Sequence, residues 1–303
     1  MATGSAGRAL LVVADDFGIG PATTAGILHL AHKGVVTASV MLVNSPYAEA
    51  AVAAWRDAGR PLDLGWHPNL TLDSPILPPE RVPSLVAPDG RFWPLKRFLS
   101  RWLRGRFDPR EIAAELRAQL RRFIELAGQV PTVVNAHQHI ILFPPLGPIL
   151  LDVLARQRCF PYIRRVREPW GQLLRVKGAR IKRTLLNALG RRQSRRQEAA
   201  GFPGNDWLIG VTDPRWVRDP RFHQRWLARV PGRAVELVCH PGLEDRTLLG
   251  RDCTASDGLM QWRVDELALL DRPDFRAVVA GAGFRIVSPT QWLMSAYTHE
   301  HAA

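Results

Sequence analysis

The sequence predicts an α/β fold built on parallel strands. Strand patterns and helix patterns alternate from the start of the chain, and a βαβαβ order is typical of parallel sheets. Polar motifs follow the strands: Asp15-Asp16 after the first, His67 after the third, and His137 with His139 after a later one. Because functional groups gather at the carboxyl ends of parallel strands, we expect these side chains to share one site.

The first half of the chain supplies this alternation directly. Apolar residues 10–13 predict a strand, and residues 21–33 predict a helix, since Pro21 suits a first turn and Gly34 a helix end. The patterns then predict a strand, a helix and a third strand at residues 35–43, 48–58 and 62–66. Residues 73–107 are rich in Pro, Gly and Arg, which indicates a long excursion that covers the site as a lid.

The second half begins with a well-marked helix over residues 109–126. Asp108 is placed to cap it, Pro109 occupies its first position, and Glu111 follows three residues after the cap. Beyond it the patterns predict, in order, a strand at 131–140, a helix at 146–156, a strand at 162–166, a helix at 219–228, a strand at 234–239, a helix at 264–270 and a strand at 284–287. The strand at 234–239 leads directly into His240.

Composition limits the class of protein. At 303 residues and 46% hydrophobic content, the chain is long enough for one large α/β domain or two smaller ones. No apolar run reaches the roughly 18 residues needed to span a bilayer, and the first apolar run is too short for a signal peptide. We therefore expect a cytoplasmic protein. The three cysteines lack CxxC spacing, which argues against a disulfide framework or a thiolate zinc site.

Most of the net charge of +13 comes from one segment. Residues 164–198 hold twelve Lys/Arg and two acidic residues, a net charge of +10. Four aliphatic residues recur at helical spacing within residues 172–199: Leu174, Ile181, Leu185 and Leu189. Three interpretations stay open: a solvated helix whose apolar stripe packs on the fold, a membrane-surface helix, or a nucleic-acid contact. Nucleic-acid binding has the least support, because no recognition motif accompanies the charge.

The polar motifs carry the chemistry. One carboxylate with two imidazoles is a common way to hold a divalent metal while leaving positions open for water and substrate. A second carboxylate beside such a metal can act as a base, so the combination points to a metal-assisted hydrolase. Taken singly, each residue has a simpler explanation: Asp15-Asp16 could cap the next helix, and a histidine at a strand end is more often structural.

The motifs and their order resemble those of the YdjC/ChbG-type carbohydrate deacetylases. The shared pattern runs through four stretches: residues 14–18 (ADDFG), 65–67 (GWH), 137–139 (HQH) and 236–242 (ELVCHPG). The similarity extends from about residue 9 to about residue 290 and is weakest over residues 172–199. The resemblance implies a distorted (β/α) barrel, related to that of NodB-type polysaccharide deacetylases, with a basic helical insertion.

A further stretch resembles one branch of that family. Residues 205–207 (NDW), together with Gly210, resemble the hopanoid-biosynthesis-associated HpnK-like branch, which is linked to glycosylated lipids. This resemblance therefore favours the membrane-surface interpretation of residues 172–199.

The resemblance also implies a role for each motif residue. Three of them would bind the metal: Asp16, His67 and His137. Asp15 would be the general base and His240 the general acid, while Arg164 and His139 would contact the substrate or support the catalytic residues. The implied cofactor is one divalent ion, zinc or magnesium, with nickel or cobalt as alternatives.

We therefore expect a single deacetylase domain, residues 1–303, with a basic helical insertion at about 172–205. The expected function is hydrolysis of the N-acetyl group of an acetamido sugar, on an oligosaccharide or a glycolipid, to acetate and an amino sugar. Two alternatives stay open: a metal-dependent hydrolase of another bond such as a phosphoester, and a basic membrane- or nucleic-acid-associated binding protein with a vestigial site. Expected partners are the sugar, free or lipid-linked, the inner face of a membrane reached through residues 172–199, and a second copy in a homodimer.

Overall fold

The computed structural model describes residues 7–300, with side chains described through residue 295. The predicted domain of residues 1–303 thus includes two terminal stretches, 1–6 and 301–303, that lie outside the described residues. The strands of the sheet, in chain order, are β1 (Arg8–Phe17), β2 (Ala38–Met41), β3 (Asp63–Trp66), β4 (Val133–Val134), β5 (Tyr162–Ile163), β6 (Trp207–Ile209), β7 (Ala234–Cys239) and β8 (Phe284–Ile286).

All the strand pairings in this sheet are parallel, as the alternation of patterns predicts. Its order is β5-β4-β3-β2-β1-β7-β6, and β8 pairs with β1. β8 lies beside the first residues of β1, with Leu10 opposite Ile286, whereas β2 lies beside later residues, with Val13 opposite Ala38. β1 is buried on both faces, which explains why its sequence is a continuous apolar run.

Side-chain and loop hydrogen bonds close the sheet into a distorted barrel. The segments after β5 and before β6 meet where Asn205 accepts from the backbone N–H of Arg165 (2.7 Å) and donates to its carbonyl (2.9 Å). The backbone N–H of Leu208 donates to the carbonyl of Arg167 at 2.8 Å. The predicted distorted α/β barrel is therefore confirmed, with its irregular closure between β5 and β6.

Helices surround this sheet. In the described part of the chain they are α1 (Pro21–His32), α2 (Ala48–Asp57), α3 (Leu95–Leu103), α4 (Pro109–Ala127), α5 (Leu146–Arg156), α6 (Trp170–Arg175), α7 (Arg180–Ala199), α8 (Pro214–Val217), α9 (Phe222–Leu227), α10 (Leu259–Leu270), α11 (Phe275–Gly281) and α12 (Pro289–Glu300). α4 begins as predicted: the Asp108 carboxylate accepts from the N–H of Arg110, and Gly128 ends the helix in a left-handed conformation. Among these helices, none has the length and apolar character to cross a membrane.

The strand predicted at residues 131–140 is wrong over most of its length. β4 ends at Val134, and a short 3-10 helix, His137–Leu142, follows. Gln138 and His139 inside it have φ angles of 51° and 56°, so His137 and His139 do not share a strand face. The backbone N–H of His137 donates to the carbonyl of Pro68 at 3.0 Å, which turns the chain across the end of β3.

The excursion at residues 73–107 is ordered by packing and by ion pairs. It contains α3, whose Phe98 is buried, and the ring of Trp102 lies 4.9 Å from that of Phe143. Asp73 accepts from Arg251 at 2.7 Å, which ties the beginning of the excursion to the loop before α10. Leu95, at the start of α3, reaches the cavity described below.

The basic segment contradicts the expected packing of its apolar stripe. It forms α6 and α7 rather than one helix, and three of the four stripe residues, Leu174, Ile181 and Leu185, are 73%, 90% and 55% exposed. The fourth, Leu189, is partly buried against the core. The face of α7 that packs on the barrel is instead mostly polar: Arg183, Asn187, Gly190, Gln193, Ser194 and Gln197. Arg183 there forms a buried ion pair with Glu168, a partner that helical periodicity does not reveal.

Close approach of α7 to the barrel explains the choice of small and polar residues on that face. A Cβ atom at Gly190 would overlap the carbonyl oxygen of Val166. The Asn187 amide oxygen accepts from the backbone N–H of Glu168 at 2.9 Å. Polar side chains therefore satisfy backbone groups at this contact, where bulky aliphatic side chains would not fit.

Candidate active site

The carboxyl ends of β1, β3 and β7, with the turn after β4, surround a cavity of about 250 Å³. Six of the residues singled out in the sequence line it: Asp15, Asp16, His67, His137, His139 and His240. Arg164, which follows β5, reaches the same place through its ion pair with Asp15. The structure therefore brings together all seven residues from five separate parts of the chain.

Asp15 and Asp16 both reach the cavity because β1 is irregular at its end. The register of β1 on β2 shifts between Ala14 and Phe17, and Asp16 has a left-handed φ of 64°. Consecutive side chains of a regular strand point to opposite faces, so this irregularity lets the two carboxylates share one site. Both side chains are buried.

Asp16, His67 and His137 form a compact candidate metal centre. Asp16 Oδ1 lies 3.3 Å from His67 Nε2 and 3.0 Å from His137 Nδ1. One ligand atom from each residue falls within 4.8 Å of the others. A carboxylate with two imidazoles is a donor set that divalent transition metals accept while positions stay open for water and substrate.

The surroundings of the two histidines fit metal binding. His67 Nδ1 lies 3.0 Å from the carbonyl oxygen of Asn135 and donates a hydrogen bond to it. Nε2, which faces Asp16, is then the unprotonated nitrogen that can bind a metal. His137 Nε2 is buried without a hydrogen-bond partner among the described residues. A buried imidazole nitrogen without a partner is costly in an apolar setting, and a bound cation or its water would satisfy it.

The charges around Asp16 keep it ionised. Burial raises the pKa of Asp16, but the opposing effects of Arg263 and His137 are larger together and hold it well below its usual range. Burial also lowers the pKa of His137, yet the neighbouring Asp16 carboxylate raises it overall. Arg263 Nη2 donates to Asp16 Oδ2 at 2.6 Å, so the two oxygens of Asp16 face different partners.

Asp15 is held by a bidentate ion pair. Arg164 donates from Nη1 to Oδ2 and from Nη2 to Oδ1 of Asp15, each at 2.7 Å, and Asn135 donates to Oδ1 at 3.1 Å. Burial raises the pKa of Asp15, but Arg164 outweighs this effect and holds the pKa well below its usual range. The carboxylate is therefore ionised at neutral pH and fixed in orientation.

A second carboxylate anchors the same arginine from the other side. Arg164 Nε donates to Glu236 in β7, and the hydroxyl group of Tyr162 donates to Glu236 at 2.8 Å. Burial raises the pKa of Glu236, whereas Arg164 and Tyr162 oppose that rise. Tyr162, Glu236 and Arg164 thus form a buried chain of hydrogen bonds behind Asp15.

His240 also lies near Asp15. Its Nε2 is 3.8 Å from Asp15 Oδ2, and its Nδ1 is 3.7 Å from a Glu266 oxygen that also accepts from the His240 backbone N–H. The ring of Trp262 packs on the imidazole with centroids 4.8 Å apart. The side chain is 24% exposed, which lets it meet a molecule in the cavity.

His139 stands at the wall of the cavity. Its left-handed backbone turns the side chain toward the site after the short turn that begins at His137. Burial of the ring lowers the pKa of His139 well below its usual value, and the nearby positive charges of Arg164 and Lys182 lower it further. The imidazole is therefore neutral at physiological pH and can donate or accept a hydrogen bond.

Several residues at this site escape the sequence patterns. Glu236 had a signal, since it is the one charged residue in the otherwise apolar strand β7. Trp262, Arg263 and Glu266 all lie on α10, which begins at Leu259 rather than at the predicted residue 264. The predicted helix starts five residues too late, so Trp262 and Arg263 fall outside it.

The chain is similar to known proteins over almost its whole length. The family model for YdjC-like protein matches residues 9–281. The chain is 29% identical over 284 residues to a chitooligosaccharide deacetylase of Klebsiella pneumoniae, covering 92% of this chain and 97% of that protein. A chitooligosaccharide deacetylase of Yersinia pestis is 28% identical over 289 residues, covering 93% and 98%. A crystal structure from Enterococcus faecalis, of a protein with a proposed role in cellobiose-phosphate cleavage, superposes with a TM-score of 0.72 at 23% identity, covering 94% and 99%.

Proposed function

Since the chain belongs to the YdjC-like family, we propose that it is a metal-dependent hydrolase that removes the acetyl group from an acetamido sugar. The observation that carries this proposal is the cavity in which Asp16, His67 and His137 lie together beside a second carboxylate, Asp15, and a third imidazole, His240. The names of the Klebsiella and Yersinia relatives, which align over nearly the whole chain, support the same reaction.

Asp16, His67 and His137 would hold one divalent ion. Bound there, the ion would act as a Lewis acid toward the acyl oxygen and lower the pKa of a water molecule. We propose zinc or magnesium, with nickel or cobalt as alternatives. Two imidazole donors are ordinary ligands for zinc, nickel and cobalt, whereas magnesium usually prefers oxygen ligands, so metal content must be measured directly.

Asp15 would act as the general base. It is ionised at neutral pH, and Arg164 holds both of its oxygens, so it can accept a proton from a water molecule that attacks the acyl carbon. Its low pKa in the free protein makes it a weak base, which is one reason the water needs activation by the ion. As the water oxygen bonds to carbon, the π pair of the carbonyl group moves to the acyl oxygen.

His240 would act as the general acid. An amine is a poor leaving group unless its nitrogen is protonated, and His240 can supply that proton as the C–N bond breaks. Glu266 and Trp262 hold the imidazole through a hydrogen bond to its backbone and through ring contact. The products are acetate and an amino sugar. His139 and Arg164 would contact the sugar or support the catalytic residues.

The proposal is tested by acetate release from N-acetylglucosamine oligomers, with protein stripped of metal and then restored with zinc or magnesium. Asp16→Ala, His67→Ala and His137→Ala are each expected to abolish both metal binding and acetate release. His29→Ala is the matched control, because His29 forms a surface ion pair with Asp271 and is about half exposed. Full activity in a variant that binds no metal would overturn the proposal.

The same protein preparation can distinguish deacetylation from the two alternative functions. Release of phosphate from a sugar phosphoester without acetate release would favour a phosphoester hydrolase. Salt-sensitive binding to nucleic acid or lipid that Asp16→Ala leaves unchanged would favour a binding protein with a vestigial site. The paired base and acid favour an enzyme, since a binding protein has no need for either.

We further propose that the basic segment contacts an anionic membrane surface and that the sugar is carried on a lipid. The support is a patch of exposed residues on α6 and α7, here called the basic apolar surface: Leu174, Arg175, Lys177, Arg180, Ile181 and Leu185. Aliphatic side chains surrounded by basic ones suit a bilayer with anionic headgroups. Lys182, next to Ile181, lines the catalytic cavity, so a bound membrane would lie beside its opening.

Vesicle sedimentation tests this contact. Vesicles that contain phosphatidylserine are expected to bind the protein, and the double variant Ile181→Gln, Leu185→Gln should bind them much more weakly. Leu103→Gln serves as the control, because Leu103 is an equally exposed aliphatic residue on α3. Equal binding by the double variant would move any membrane contact elsewhere. Activity on an N-acetylglucosaminyl lipid, compared with free oligomers, tests the lipid linkage separately.

We propose one deacetylase domain in which residues of about 172–205 form an insertion, located in the cytoplasm or on the inner face of the membrane. A homodimer is the proposed assembly. Sedimentation equilibrium over a range of concentrations tests it, and a monomer at all concentrations would exclude it.

A further inference from the structure

We propose that Arg263 is a catalytic residue whose free Nη1 donates to the acyl oxygen of the substrate. The inference rests on the proposed deacetylation and names a group that lies outside the sequence motifs. Arg263 is an α10 residue whose side chain is only 6% exposed, and it lines the cavity together with Asp15 and His240.

One edge of the guanidinium group is already engaged. Nη2 donates to Asp16 Oδ2 at 2.6 Å and to Asp252 Oδ2 at 2.9 Å. Asp16 Oδ1 faces the imidazoles of His67 and His137, so Arg263 occupies the oxygen that they leave free. Arg263 therefore holds Asp16 in the orientation that presents one oxygen to the candidate metal centre.

The second terminal nitrogen of the group, Nη1, is not engaged in this way. Arg263 Nη1 is buried and makes no hydrogen bond among the described residues. A buried charged donor without a partner costs free energy. In Arg164, the second arginine of the site, all three side-chain nitrogens donate hydrogen bonds. Because the guanidinium group is planar and rigid, Nη1 keeps a fixed position relative to Nη2 while Nη2 donates to Asp16.

A molecule that fills the cavity would provide the missing acceptor. In amide hydrolysis the acyl oxygen gains negative charge as water attacks the carbon, and a donor fixed in advance near that oxygen stabilises the transition state more than the substrate. Arg263 keeps its own proton throughout, because a guanidinium group is not deprotonated in proteins. The proton for the leaving nitrogen comes from His240.

A purely structural role for Arg263 predicts different kinetics. If the residue did no more than orient Asp16, its loss would weaken metal binding, and saturating metal would restore turnover. If Nη1 contacts the acyl oxygen, kcat falls even at saturating metal while KM changes little, because the contact strengthens in the transition state.

The experiment compares Arg263→Ala and Arg263→Lys with the wild-type protein, measuring zinc affinity by titration and then acetate release from N-acetylglucosamine oligomers at saturating zinc. We expect kcat to fall about 100-fold or more in Arg263→Ala, the loss typical of removing one donor to an oxyanion. Millimolar guanidinium should restore part of the kcat of Arg263→Ala. If that variant fails to fold, Arg263→Lys, which keeps the charge but not the fork, supplies the comparison.

Arg218→Ala is the matched control. Arg218 forms an exposed ion pair with Asp265 on the outer side of the same helix, so its removal perturbs α10 without touching the cavity. Its kcat should match that of the wild type. A kcat within about threefold of the wild type in Arg263→Ala at saturating zinc would overturn this inference alone, since one lost oxyanion donor costs far more. No acetate release by the wild type would overturn the proposed function and the inference with it.

Discussion

Arg164 holds both oxygens of Asp15 in a fully buried, bidentate ion pair with two N–O distances of 2.7 Å. Its third donor, Nε, is directed to Glu236 on the other side. A single cation thus serves as the counter-charge for two buried carboxyl groups, and the planar guanidinium group fixes their relative orientation. Removal of this residue affects stability and catalysis for the same electrostatic reason.

Arg164→Met should destabilise the protein by about 3–5 kcal/mol, because it leaves two carboxylates buried without a counter-charge. Urea unfolding at pH 7 measures the change. Arg156→Met is the control, since Arg156 pairs with Asp152 at an exposed helix position, where an ion pair contributes little to stability. A similar decrease in the free energy of unfolding in both variants would show that the buried ion pair contributes no more to stability than the exposed one.

Zinc should stabilise the folded protein against heat. An ion that binds only the native state adds about 2.7 kcal/mol when its free concentration is 100 times Kd. Thermal unfolding of metal-stripped protein, with and without added zinc, measures the gain. The increase in Tm should disappear in His67→Ala and persist in His29→Ala. An equal increase in His67→Ala would place zinc at another site.

Acid should destabilise the protein partly through His223. Burial, then the charge of Arg272, lowers the pKa of His223 to about 3, below the value of about 6.5 in an unfolded chain. The unfolded state therefore binds a proton first as pH falls, and the stability from the neutral ring is complete above pH 6.5 and is lost toward pH 3. From pH 8 to pH 5 this group alone should cost about 2 kcal/mol.

His223→Phe removes that titration and keeps an aromatic ring between Phe222 and Phe275. Urea unfolding at pH 8 and pH 5 should show a smaller acid loss in this variant than in the wild type. His32→Gln, at an exposed position, should leave the loss unchanged. An identical pH dependence in His223→Phe and wild type would contradict the prediction.

Gly190→Ala should be disruptive although it lies within a helix, where alanine is normally preferred. The new Cβ would overlap the carbonyl oxygen of Val166 and push α7 from the barrel. Gly281→Ala is the matched comparison, because Gly281 is also helical and nothing lies within 4 Å of its Cβ position. We expect Gly281→Ala to be neutral or stabilising by about 0.5–1 kcal/mol and Gly190→Ala to lower the free energy of unfolding.

Local signals predicted much of this fold because they act over a few residues. The capped start of α4 at Asp108, the continuous apolar run of β1 and the strand before His240 all depend on neighbours in sequence. The motif residues also came together as expected, since parallel strands direct their carboxyl ends to one edge of the sheet.

Features that depend on distant partners were not predictable in the same way. The orientation of α7 is set by the ion pair of Arg183 with Glu168 and by the close contact at Gly190. Neither contact produces a periodic pattern of residues in the sequence. Helical spacing of aliphatic residues therefore indicated the wrong buried face. The turn at Gln138 and His139 depends likewise on where Pro68 lies in space.

Helix α10 carries Trp262, Arg263 and Glu266 on one rigid element, and these residues contact His240 and Asp16. A shift of this helix would therefore disturb the candidate acid and the candidate metal ligand together rather than one after the other. A substitution that displaces α10 would impair both groups at once, whereas one that leaves the helix in place, such as Arg218→Ala, would spare both.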